Sequence, residues 1–198
     1  MESVPTPWPS EDIIERLTRK SEGYFLYAST VINFIDEEFF SPVDRLNQVL
    51  GTSDSSVFPK ESNPFAKLDR LYMQILSSYP ASRHPILKSI LGYVVMSAVF
   101  SARGMYLPFI GIILDLAPGQ MELTLRGMRS LVSFVLHSKE PSLFHASFGD
   151  FLLDKGRAKH YHVDSEEWIY TTFRHAFSLA CRSLGPHNGA SQPFEGQS

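Results

Sequence analysis

Apolar residues recur every three to four positions in most of the chain's segments, and near residue 133 that period changes. Phe65, Leu68, Leu71, Tyr72, Ile75 and Leu76 show the period most clearly. It is the spacing that puts side chains on one face of an α-helix. The break comes at Ser133–Leu136 and Ser142–His145, two short runs on either side of the polar stretch His137-Ser138-Lys139-Glu140-Pro141. Such a pair around a turn reads as a β-hairpin. The chain is therefore expected to be mainly α: a helical bundle, then three helices and a small hairpin, which is the winged-helix order.

Punctuation residues divide the chain. Residues 1–10 carry Pro5, Pro7 and Pro9 and read as a flexible arm. Ser10 ahead of Glu11 and Asp12 marks a helix start, with acids at the positive end of the helix dipole. After Ser21-Glu22-Gly23, the residues Tyr24, Phe25, Tyr27, Ala28, Val31, Ile32, Phe34 and Ile35 make a helix apolar nearly all round, which predicts burial on every side. Ser41-Pro42 opens a third helix ending near Leu50-Gly51, with serine as cap and proline in the first turn. Residues 51–63, rich in serine and holding a glycine and a proline, form the best internal linker. Helices over about 83–99, after Pro108 and over Met121–Val132 precede the hairpin. Ser147, three residues before Asp150, is expected to cap the helix carrying Phe148, Phe151 and Leu152. An extended piece near His160–Val163 follows, and Asp164 caps a long helix to about Leu184. These boundaries give a small helical domain at 11–80, a winged-helix domain at 83–163, the start of a further helical domain at 164–184 and a disordered tail at 185–198.

Several function classes are excluded by what the chain lacks. A net charge of −3 provides no global field for nucleic acid or anionic lipid. The most apolar region is split by Arg103 and Gly104 into pieces of 14 residues (Ser89–Ala102) and 11 residues (Gly104–Leu114). Each is too short for the ~30 Å hydrocarbon layer, so buried helices are expected and no membrane span. The N-terminus lacks a basic, then apolar, leader, and a cytoplasmic protein is expected. The single cysteine, Cys181, excludes an internal disulfide and reads as a small buried residue. No GxxxxGK[ST], GxSxG or HExxH occurs. An enzyme is not expected.

Three constellations remain. His160-x-His162 would place two imidazoles on one face of a strand, as metal ligands or as solvent-facing histidines. His145, Ser147 and Asp150 are too close in sequence to meet as a catalytic triad without strain, so capping is the expected role. Arg126 and Arg129 are the cations of the helix that would enter a DNA groove, and two arginines beside Glu122 are too few for the electrostatic part of DNA affinity. A winged-helix nucleic-acid binder is the alternative to a protein-interaction module.

The segments KSEGYFLYASTVINFIDEEFFSPVDRL (20–46), NPFAKLDRLYMQILSS (63–78), ILKSILGYVV (86–95), LTLRGMRSLV (123–132) and LFHASFGDFLLDKGR (143–157) resemble, in order, the region that follows the ATPase core in fungal NACHT proteins. These are signal-transducing NTPases of the NLR type (STAND class). The resemblance covers about residues 11–184. It implies a non-catalytic regulatory module, a nucleotide-state sensor within a signal-transduction ATPase, in which ADP holds a closed state and ATP permits oligomerisation.

Two nucleotide-binding positions follow from that resemblance. Gly23 stands at the glycine of a glycine–x–proline turn near the nucleotide, with Phe25 in place of proline. His145 matches a histidine that bonds the β-phosphate of ADP, with Ala146 in place of the following aspartate. A histidine beside the free N–H groups of a helix start suits an anion; the other reading is a histidine packed at the hairpin–helix junction. The phosphate loop and magnesium ligands are absent from this chain, so no nucleotide is expected on it alone and it reads as a fragment. Its implied partners are a separate NACHT ATPase core or full-length relatives, with self-association through apolar faces left exposed.

Overall fold

The protein is described by a computed structural model at residues 8–21, 24–51, 65–99, 107–134 and 141–183. It is mainly helical with one small antiparallel sheet. The first layer holds α1 (Glu11–Ser21), α2 (Phe25–Ile35) and α3 (Pro42–Gly51), and α4 (Ala66–Ser77) packs against α2 and α3. A 3-10 turn at Ala81–Arg83 leads to α5 (His84–Val99), α6 (Leu107–Ile113) and α7 (Gln120–Leu125). Then come a 3-10 turn at Arg126–Met128, the strands β1 (Val132–Phe134) and β2 (Pro141–Leu143), α8 (Ala146–Leu153) and α9 (Lys155–Ala158). A last 3-10 turn at Lys159–Tyr161 precedes α10 (Ser165–Ser183). Among the described residues no helix is long and apolar enough to cross a membrane.

Local chemistry sets the helix ends. Ser41 Oγ accepts from Asp44 N at 3.3 Å, and Pro42 occupies the first position of α3. Asp164 Oδ1 accepts from the N–H groups of Glu166 and Glu167 at 3.0 and 3.1 Å, as its sequence position predicts. Asp154 caps α9 in the same way, through Gly156 N and Arg157 N. The strands pair Val132 with Leu143, Ser133 with Ser142 and Phe134 with Pro141. Val132 faces the core and β2 packs on α5. Of the turn expected at 137–141, Pro141 belongs instead to β2; the rest of it, most of the arm, most of the linker and most of the tail lie outside the described residues.

One apolar cluster runs from Tyr27 to Val163, across the 80–83 boundary. The Tyr72 ring on α4 meets Phe148 edge-on at 5.0 Å and Phe151 at 5.3 Å. Arg157 grips Asp69 with two parallel bonds, Nε to Oδ2 at 2.9 Å and Nη2 to Oδ1 at 2.7 Å. The Tyr79 hydroxyl donates to the Thr124 carbonyl beneath the turn that follows α7. Gly127 permits that approach, since a Cβ there would lie 2.5 Å from Tyr79 Cε2.

Four local expectations are corrected. The second helix is not buried all round: Tyr27, Thr30, Val31 and Phe34 face inward, while Ile32 is exposed and Phe25 is 84% exposed. Its neighbours α1, α3 and α4 cover one side of it. The helix expected to reach Val132 stops at Leu125, where the Tyr79 hydroxyl takes the carbonyls of Leu123 and Thr124 that a longer helix would use. His160 belongs to a 3-10 turn and not to a strand. Cys181 is exposed, on the outer side of α10.

Candidate functional site

His145 ends the hairpin segment and begins α8. It has extended backbone angles, and its Nδ1 accepts from Ser147 N at 3.1 Å. The cap is therefore His145, and the expectation that Ser147 caps this helix is corrected. A backbone N–H only donates, so Nδ1 must present a lone pair and the neutral ring carries its proton on Nε2. Ser147 Oγ lies 2.9 Å from the same Nδ1, and Tyr72 Oη lies 2.8 Å from Ser147 Oγ. The hydroxyl protons of Tyr72 and Ser147 can both run towards Nδ1. Nε2, on an exposed side chain, has no hydrogen-bond partner among the described residues. The outcome is an outward N–H donor at the start of a helix, held from behind by a three-residue chain.

Burial pushes the Tyr72 phenol above its ordinary pKa, against the opposing effect of the Ser147 hydrogen bond, so Tyr72 stays a neutral donor. Thr30, Tyr72, Ser130, Phe144 and Phe148 pack around His145 with no room for even a water molecule between them. Ser130 Oγ is buried there without a hydrogen-bond partner among the described residues. That spot admits no ligand, so an anion meeting Nε2 would lie on the exposed side of the ring. One imidazole N–H beside a helix N-terminus fits one edge of a phosphate group and no more.

The other candidates separate. Gly23 lies outside the described residues. His160 stacks on His84 at 6.2 Å, and no group of three or more His, Cys, Asp or Glu able to hold a metal occurs among the described residues. Asp150 is exposed, while Ser147 bonds His145 and Tyr72. Arg126 and Arg129 are engaged within the chain. Arg129 Nη1 lies 3.2 Å from Glu38 Oε2, and the Arg126 guanidinium sits 4.4 Å from the Phe39 ring centre.

Sequence reasoning missed Tyr72 and Ser130 as neighbours of His145. No local signal could have found them, because Tyr72 lies 75 residues from Ser147 and reads as an ordinary core position. Comparison with known proteins returns nothing: no family model, no curated protein and no solved structure matches this chain.

Proposed function

We propose that this chain is a non-catalytic regulatory and interaction module of an NLR-like NACHT signalling ATPase, working in the cytoplasm through contacts with an ATPase core or with full-length relatives. Three helices, a hairpin packed on the first of them and a helix beginning at His145 follow the order of a winged-helix sensor. The observation that carries the reading is the orientation of His145: Nδ1 is occupied by the cap and Nε2–H is left to meet the phosphate end of ADP or ATP held by the core. Engagement of that N–H in one nucleotide state and not the other would bias how the module sits on the core. The resemblance gives Gly23 the second nucleotide contact.

Calorimetry with ADP and ATP tests this, with the chain alone and with a separately supplied NACHT core. The chain alone is expected to bind neither nucleotide tightly, and to tighten ADP binding by the core. His145→Asn keeps a capping side chain but removes the outward ring N–H, and should reduce that gain by about tenfold, the scale of one charge-assisted hydrogen bond. Tight ADP binding by the isolated chain, or an unchanged gain with His145→Asn, would overturn the reading. Duplex binding that falls steeply with salt would instead favour the nucleic-acid alternative; the internal pairing of Arg126 and Arg129 speaks against it.

A further inference from the structure

The long helix α10 carries apolar residues on both of its faces. Trp168, Ile169 and Leu179 pack on the core cluster, and the Trp168 ring meets Tyr93 at 4.7 Å. Tyr170, Phe173 and Phe177 point the other way and are 69%, 74% and 73% exposed. With Glu166 before them and Ala180 after, both exposed, they alternate four and three residues apart along one face. That is the spacing of a seam between two helices. A line of three aromatic rings in water is the kind of apolar patch that marks an interaction surface.

Charge and size select what covers it. Glu167 and Arg174 lie on one flank of the stripe, two helical turns apart, and neither side chain makes an ion pair among the described residues. Two copies of α10 packed antiparallel, with Tyr170 of each against Phe173 of the other, set Glu167 beside the partner's Arg174 at both flanks. Parallel packing would instead gather Asp164, Glu166 and Glu167 of both copies at one end, like charge on like. The patch is thus complementary to itself about a two-fold axis. At about 200 Å² per aromatic side chain, the three exposed rings offer roughly 400 Å² per copy. With the flanking stems, about 1,000 Å² in total leaves water, which is the low end for a specific interface and the size of a reversible one.

We propose that the outer face of α10 is a homodimer interface, in which two copies of this chain pair antiparallel and reversibly through Tyr170, Phe173 and Phe177. The inner face of the helix is already seated on α5 by Trp168 at Gly92, so pairing needs no rearrangement of the fold. It uses no contact of His145 and needs no nucleotide.

Sedimentation equilibrium of the full chain tests it, over about 1 to about 200 μM to cover a weak interface of this size, with reductant present so that the exposed Cys181 cannot link copies. The mass should rise with concentration from 22.4 kDa towards twice that value and stop there. Phe173→Ala, at an exposed position, should raise the dissociation constant at least about tenfold, the scale of a central aromatic anchor, and leave the thermal midpoint of the dilute monomer unchanged. Glu167→Arg and Arg174→Glu should each weaken pairing by about tenfold through like charges set side by side. The two together should restore it, because the reversed charges meet again only in the antiparallel pair. A chain monomeric throughout, or pairing that survives Phe173→Ala, would overturn the proposal and give the face to another occupant. Masses beyond the dimer would do the same, since a closed two-fold pair leaves no free patch. So would a double reversal that pairs no better than its parts. None of these readouts involves His145 or a nucleotide, so failure here is distinct from failure of the proposed function.

Discussion

Tyr72 Oη stands 2.8 Å from Ser147 Oγ, joining the middle of α4 to the first turn of α8 across 75 residues of sequence. The same ring packs on Phe148 and Phe151, so one side chain supplies both the apolar contact and the polar tie. Tyr72→Phe keeps the ring and deletes the tie. It should cost about 1 kcal/mol, the net worth of one buried neutral hydrogen bond. Urea unfolding measures it, and a neutral variant would show that the hydroxyl contributes nothing.

Gly92 is the point where α10 meets α5. A Cβ there would lie 2.7 Å from Trp168 Cδ1 and 2.8 Å from Nε1, and an indole ring cannot yield at those atoms. Gly92→Ala should push Trp168 off Tyr93, whose ring it meets at 4.7 Å, and destabilise the protein by about 1–3 kcal/mol despite alanine's better helix propensity. A shift in tryptophan emission together with a lower thermal midpoint is the expected result.

Asp69 and Arg157 form a bidentate pair with side chains 12% and 19% exposed. Arg157 is held above its ordinary pKa first by the hydrogen bonds it donates to Asp69, against the cost of its burial. A double-mutant cycle with Asp69→Asn and Arg157→Ala should return a coupling of about 2 kcal/mol. A coupling below about 0.5 kcal/mol would class the pair with ordinary surface ion pairs.

The pH dependence of stability should separate two carboxylates. Burial pushes the Glu37 carboxyl above the usual carboxylate range, against the Arg129 N–H and the charges of Arg45 and Arg129. Burial likewise lowers Arg45. The folded state therefore holds the Glu37 proton more tightly than the unfolded chain. Stability linked to that proton is fully present below the ordinary glutamate pKa and is lost as pH rises through the raised value. Wild type should gain on Glu37→Gln as pH falls from about 7 towards about 4.5. Asp164 behaves oppositely. The N–H groups of Glu167 and Glu166 hold its carboxyl below the usual range, so its contribution is present above the ordinary aspartate pKa and fades as pH falls through the lowered value. Stability curves of Asp164→Asn and Glu37→Gln, each set against wild type, check both signs.

Local pattern was enough for the helices. The 3-and-4 spacing of Phe65, Leu68, Leu71, Tyr72, Ile75 and Leu76 gave α4; the last five are buried, while Phe65 stands just before the helix and is exposed. Asp164 and Ser41 were legible as caps because capping is decided within three residues. His145 was legible as a site candidate, by resemblance and by its place before a helix. Its actual role as the cap, taken from Ser147, was not, since either residue can accept the same N–H.

The sequence alone determined a mainly α chain with one hairpin and most of its helix ends, because periodicity and capping act over a single turn. Tertiary structure alone decided the rest. It turned one face of α2 outward, ended the helix before β1 where the Tyr79 hydroxyl takes its last carbonyls, and spent Arg126 and Arg129 on the Glu37–Phe40 corner. It also placed Tyr72 behind His145. These outcomes depend on which surfaces meet after the chain collapses, and residues 75 or 92 apart leave no trace of one another in local spacing.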